Sequence, residues 1–242
     1  MNTPGRPSVF HHGGRVWHGF VMLLAVFGSA GADAQGWSLN GEASLTSDYV
    51  ERGVSTWPRE VAAQGLLALS DGLHWSASLA LTAPVEQARD YQAVARGSAY
   101  WSANENWQLH ARAGIYGYPG GGYYRFFNRH EVGLGANYRD LWSIDLSASQ
   151  LKEKEADDHL YPAIDLGVRW PLTEQWAIAG GIGRTEMHWW PDVWYTYADI
   201  GLVWQTAHWR ASLRYLGASD PARLYMQRAA EPHTTFSLSW LF

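Results

Sequence analysis

Six charged residues recur at one spacing in this 242-residue chain. Glu42, Arg96, Arg112, Asp165, Asp199 and Arg214 each stand five positions from an indole: Trp37, Trp101, Trp107, Trp170, Trp204 and Trp209. Three cations and three anions at one distance from a ring suit electrostatic selection. Gathered around a narrow passage, such charges sort solutes by sign. Paired across it, they fill the passage instead. Arg96 and Arg112 carry like charge on neighbouring segments, so each needs a partner or a ligand. Asp199 and Arg214 carry opposite charge on neighbouring segments. Glu131, Asp145, Arg169 and Arg210 are charged as well, at other distances from the rings.

Other chemistries find less support. His110 and Ser212 share the polar side of their segments, but no G-x-S-x-G or comparable nucleophile signature accompanies them. His130 has the opposite parity to its neighbour Glu131, as an interfacial His would. His188 and Asp192 share one loop, and two ligands do not make a metal set. Pro119 to Tyr124 (PGGGYY) lacks the strand–loop–helix setting of a phosphate cradle. No catalytic residue, metal ligand or cofactor is nominated.

The elements that position these residues alternate with period two. Trp75 to Leu81 (WSASLAL), Trp107 to Ala113 (WQLHARA), Trp142 to Ser149 (WSIDLSAS) and Trp209 to Tyr215 (WRASLRY) put apolar and polar side chains on opposite faces. The pattern predicts about twelve strands, near 37–49, 60–69, 73–83, 91–102, 107–118, 129–138, 141–151, 159–170, 176–185, 194–205, 208–216 and 233–242. Connections alternate between short turns, such as Ser70-Asp71-Gly72, and long loops, such as 217–232. Trp37, Trp75, Trp107, Trp142, Trp176 and Trp209 begin the strands that rise from the short turns. Trp101, Tyr138, Trp170, Trp204 and Trp240 close those that return. All eleven share the parity of the apolar face, as an aromatic girdle at a bilayer interface requires. Tyr49, Tyr91 and Trp194 have that parity at the other end. The closing segment FSLSWLF alternates likewise, and Phe242 matches a C-terminal insertion signal read by barrel-assembly machinery. No apolar run after residue 34 is long enough for a spanning helix. Only closed barrels offer another way across a bilayer. The expected fold is all-β, a transmembrane antiparallel up-and-down barrel of about twelve strands over 35–242, with short turns in the periplasm.

Residues 1–34 read as a cleaved signal peptide: Arg6 and Arg15, the apolar run FVMLLAVF, then Ala32-Asp33-Ala34. The chain has 18 Lys+Arg and 23 Asp+Glu; removing Arg6, Arg15 and Asp33 leaves 16 and 22, a net charge of −6. Nucleic acid therefore finds no basic patch. There is no cysteine, so no disulfide or thiol chemistry.

Leu45-Thr46-Ser47-Asp48-Tyr49-Val50-Glu51-Arg52-Gly53-Val54-Ser55 resembles the N-terminal motif of Gcw_chp, a bacterial family of conserved exported proteins. Glu51 departs from it where an aromatic is expected. The resemblance implies an outer-membrane-like barrel, porin-like at most, and assigns no catalytic residue. Asp48 and Arg52 share inward parity, so the expected role of the motif is a salt bridge steadying the first loop, with Gly53 allowing the bend. The expected partners are outer-membrane lipid of a Gram-negative bacterium, the assembly machinery and small solutes. Two functions stay open: a narrow channel with a charged constriction, or a plugged barrel acting through its loops.

Overall fold

The computed structural model describes residues 36–120, 122–152, 159–188 and 190–242, so the expected signal segment lies outside the described residues. The strands in chain order are β1 (Ser38–Thr46), β2 (Val50–Glu51), β3 (Val54–Ser55), β4 (Ala62–Ser70), β5 (Trp75–Pro84), β6 (Gln92–Ser102), β7 (Trp107–Gly117), β8 (Arg129–Tyr138), β9 (Trp142–Leu151), β10 (Tyr161–Pro171), β11 (Trp176–Glu186), β12 (Trp194–Gln205), β13 (Trp209–Ala218) and β14 (His233–Leu241). Twelve of them, all but the short pair β2 and β3, close into an antiparallel barrel. Each barrel strand pairs with its neighbours in sequence, and β1 closes on β14 with Glu42 opposite Leu241 and Thr46 opposite Ser237. The ladder runs on to Phe242, whose backbone exchanges hydrogen bonds of 2.7 and 3.0 Å with Gly41. The Phe242 ring lies over Gly41, where an added Cβ would come within 2.2 Å of it, so a larger residue there would have to push the ring aside.

The short turns are built by side-chain acceptors. Asp71 Oδ1 accepts from the backbone N–H of Leu73, His74 and Trp75 at 3.0, 2.7 and 2.8 Å. These bonds, Trp75's first, lower the pKa of the Asp71 carboxyl. Asn104 Oδ1 caps Trp107 at 3.0 Å, Thr173 Oγ1 caps Trp176 at 3.0 Å, and Thr206 Oγ1 caps Trp209 at 3.1 Å. In each case a short polar side chain closes the turn locally, and the indole that follows starts the next strand. The β8–β9 turn instead uses Arg139 and Asp140, with φ of 46° and 57°.

The barrel is apolar outside and polar inside. Val132 and Leu134 on β8 are 59% and 60% exposed, and Leu79, Leu146, Leu166, Ile182 and Leu213 are exposed alongside them. Inward positions of the same strands hold Ser, Thr, Gln and charged groups. All eleven expected girdle aromatics sit at the short-turn end. Tyr138 faces Trp107 and Trp142 directly across its two ladders, and Trp176 faces Trp204. Of the aromatics expected outward at the other end, Tyr49 is a correction: it is 1% exposed and packs inside with Trp57, Leu66, Val94, Tyr116 and Tyr118. Parity fails there because β1 ends at Thr46 and the chain bends before Tyr49. A second cluster, with Met187, Tyr195 and Tyr197, is covered by helix α1 (Asp220–Met226) and the 3-10 turn Gln227–Ala230, through Ala222 and Ala230.

A cation placed on the outward face at mid-strand tests this orientation. Leu134→Arg should lose about 2–4 kcal/mol if that site meets hydrocarbon. The readout is the urea midpoint of the fast-migrating species on unheated gels. An unchanged midpoint would contradict a lipid-facing Leu134.

Candidate functional site

Between β1 and β4 the chain folds into the barrel. β2 and β3 form a hairpin on the two-residue turn Arg52–Gly53. Both turn residues have positive φ, 49° and 76°, as the favoured hairpin turn demands. The turn abuts β12: a Cβ on Gly53 would lie 2.5 Å from the Cβ of Tyr197. The base is tied to the wall. Asp48 accepts from the Ser55 hydroxyl at 2.5 Å and lies 2.8 Å from His233 Nε2. Burial pushes the Asp48 carboxyl up, opposed by these two partners. The Tyr49 hydroxyl donates to Gln92 at 2.9 Å, and Gln92 donates to Tyr118 at 2.6 Å.

Arg52 reaches across the lumen. Its guanidinium is 2.9 Å from Glu131 on β8 and 2.9 Å from the Ser147 hydroxyl on β9. This corrects the expected Asp48–Arg52 bridge. The hairpin turn carries Arg52 away from the rim, where Asp48 stays with Ser55 and His233. Glu131 also lies 3.8 Å from Arg112 and accepts from the Tyr116 hydroxyl at 3.5 Å. Asp145 binds Arg112 and lies 2.8 Å from His110 Nε2. Arg96 donates to the Tyr116 hydroxyl at 2.7 Å. Arg129 stacks 3.9 Å above the Tyr116 ring and pairs with Glu51.

The six equally spaced charges all point inward, and they meet different partners. Arg96 and Arg112 join the network around Tyr116 and Glu131. Glu42 pairs with Arg210, Asp199 with Arg214 at 3.4 Å, and Asp165 accepts from the Tyr197 hydroxyl. His110 and Ser212 have separate partners, Asp145 and Ser237. His130 is exposed on the outer face. Equal spacing along each strand left out the residues at the centre of the network, Glu131 and Asp145. Their inward parity was legible; that Arg52 arrives from a loop to meet Glu131 was not.

The hairpin has a cavity on either side. One of about 300 Å³ opens toward the long loops, lined by Arg52, Arg129, His188, Tyr118, Tyr195 and Tyr225 among others. One of about 100 Å³ extends toward the short turns, lined by Asp48, Gly53, Asp165, Tyr197, Arg210 and Arg214 among others. Val50 and Gly53 face the smaller cavity; Glu51, Arg52, Val54 and Ser55 face the larger. His188 Nε2 lies 2.9 Å from the Ser149 hydroxyl. Burial, with Arg129 and Arg52 nearby, pushes its imidazole well below the usual histidine range.

Solved structures share this architecture. The KdgM porin matches with a TM-score of 0.52 at 8% identity, over 84% of this chain and 97% of its own. The NanC porin matches with a TM-score of 0.51 at 10% identity, over 85% and 99%. A membrane protein crystallised in meso matches with a TM-score of 0.56 at 11% identity, over 84% and 83%. These likenesses concern the fold. No protein-family model and no curated protein matches the chain.

Two outcomes test the network. Arg52→Met removes the nearest cation from the buried Glu131 carboxylate, leaving it Arg112 and the Tyr116 hydroxyl, and should cost up to about 3–5 kcal/mol, whereas Arg52→Met/Glu131→Gln should cost less than the two single changes summed. Strict additivity of refolding midpoints would disprove the contact. His188 has a folded pKa below its ordinary 6.5. The folded state therefore binds fewer protons than the unfolded chain, and its stability drops as pH falls below that value. Wild type should lose stability relative to His188→Gln between about pH 7.5 and about pH 5.5, an interval that spans the ordinary imidazole value. Parallel pH profiles would contradict a buried neutral imidazole.

Proposed function

We propose that the chain is a narrow outer-membrane channel, or solute-uptake pore, of a Gram-negative bacterium, with the first-loop hairpin as its constriction. The observation that carries this reading is the hairpin's position between two cavities that each hold charged side chains, inside an apolar-faced barrel. A barrel filled only for stability has no need of charged cavities above and below one short segment. The likeness in fold to porins supports the same reading. The filter charges are Arg96, Arg112 and Arg52 on one side, with Asp165 and Asp199 on the other. Lipid surrounds the girdle, small solutes occupy the lumen, and assembly machinery reads the strand that ends in Phe242. The Leu45–Ser55 segment, which resembles Gcw_chp, is on this proposal the constriction itself.

The buried ion pairs favour a second reading: a plugged barrel acting through its outer loops. Planar-bilayer recording of the refolded protein separates the two. A channel gives discrete steps, larger in Arg52→Ala/Glu131→Gln, with selectivity moving toward cations in Arg96→Ala/Arg112→Ala. A silent membrane with inserted wild type and inserted hairpin variant sinks the channel and leaves the plugged barrel.

A further inference from the structure

The cavity above the hairpin has the features of a binding site. Its side walls are aromatic. Tyr118 and Tyr124 stack with centroids 6.0 Å apart and planes 24° apart, and Phe127 meets Tyr118 edge-on at 6.4 Å. Tyr225 and Met226 of α1 add apolar surface to the lining. Arg52 and Arg129 contribute guanidinium groups, both almost wholly buried. One terminal nitrogen of each, Nη2, is engaged, Arg52 by Glu131 and Ser147 and Arg129 by Glu51. The Nε–H of each is buried without an acceptor among the described residues.

The hydrogen-bonding capacity left over at these two arginines is thus that of a donor. A carboxylate placed beside a guanidinium makes a charge-assisted hydrogen bond, stronger than a neutral one. The two carboxylates in the lining are each engaged through one oxygen. Glu51 holds Arg129, while Glu186 lies 2.8 Å from His159 and accepts from the backbone N–H of Asp192 at 2.6 Å. An ammonium group would compete with these bonds instead of completing them. The field agrees in sign, since the same two guanidinium groups help keep the neighbouring His188 uncharged. At about 300 Å³ the space admits a ring-sized solute and excludes a chain of them.

We propose that this outer cavity binds a small carboxylate carried on a planar apolar body, with the carboxylate at Arg52 and Arg129 and the ring among Tyr118, Tyr124 and Tyr225. Its place as an uptake site rests on the channel reading; binding itself does not.

Calorimetry on the refolded barrel in detergent tests the site, with benzoate as the probe and acetate, benzyl alcohol and benzylammonium beside it. Benzoate should bind at least about tenfold more tightly than any of the three, because each lacks the ring, the charge or the sign. Arg129→Gln should weaken benzoate about tenfold or more. Because that change also strands Glu51, Tyr225→Ala on the partly exposed helix serves as a second variant, and should weaken benzoate without touching a charge. Benzylammonium binding as tightly as benzoate, no benzoate heat, or unchanged affinity in both folded variants would overturn the site. Conductance steps without benzoate binding remove the site and leave the channel. Benzoate binding over a silent bilayer removes the channel and leaves the site.

Discussion

Every backbone N–H and C=O at the depth of the hydrocarbon has to be satisfied within the protein. On the proposed bilayer placement, the chain meets this with twelve strands and a closed seam, β1 against β14, that leaves no edge. Other features follow from that closure. In the proposed outer-membrane setting the outward face must suit lipid, and it carries Leu, Ile and Val with a band of Trp at the short-turn end. The inward face cannot meet lipid, so it is free to be polar. The four side-chain caps that end on Trp75, Trp107, Trp176 and Trp209 join the two requirements, since one polar residue closes the turn and the next indole marks the interface.

Closure also creates an electrostatic problem. Charged groups inside a narrow barrel lose most of their water, and each unpaired one is expensive. Arginine meets this better than lysine, because its planar fork makes several contacts at once. Arg52 binds Glu131 and Ser147 together, and Arg129 stacks on Tyr116 while it pairs with Glu51. Lysine occurs in the chain only at positions 152 and 154, and every lumen cation named above is an arginine. Tyr116 is the hinge of the arrangement, with its ring under Arg129 and its hydroxyl between Arg96 and Glu131.

The hairpin turns this lined tube into two compartments. Held at its base by Asp48 and at its tip by Arg52 and Tyr197, it is joined to β14, β8, β9 and β12. In the proposed channel, a segment fixed at two points by polar contacts serves as a constriction whose strength depends on a few named pairs. The same guanidinium that secures the hairpin also lines the outer cavity, so a ligand there would act on the contact that divides the lumen.

Strand number, strand bounds, turn ends and the gathering of eleven aromatics at the short-turn end were legible in the sequence by itself. The barrel strands have a period of two, and an apolar outer face against a polar lumen makes that period visible as alternating side chains. Inward parity of Glu42, Arg96, Arg112, Asp165, Asp199 and Arg214 came from the same signal. The partners of those charges were not legible. Parity says which face a residue takes, not which groups meet across a lumen after a loop has folded into it. The Glu131–Arg52 contact joins residues 79 apart, through a turn set by two positive φ angles. Tyr49 reads as outward by count and is buried, because the strand that carries the count has ended at Thr46. Local alternation determines the wall of this protein. Its contents depend on contacts distant in sequence, which only closure of the barrel brings within reach.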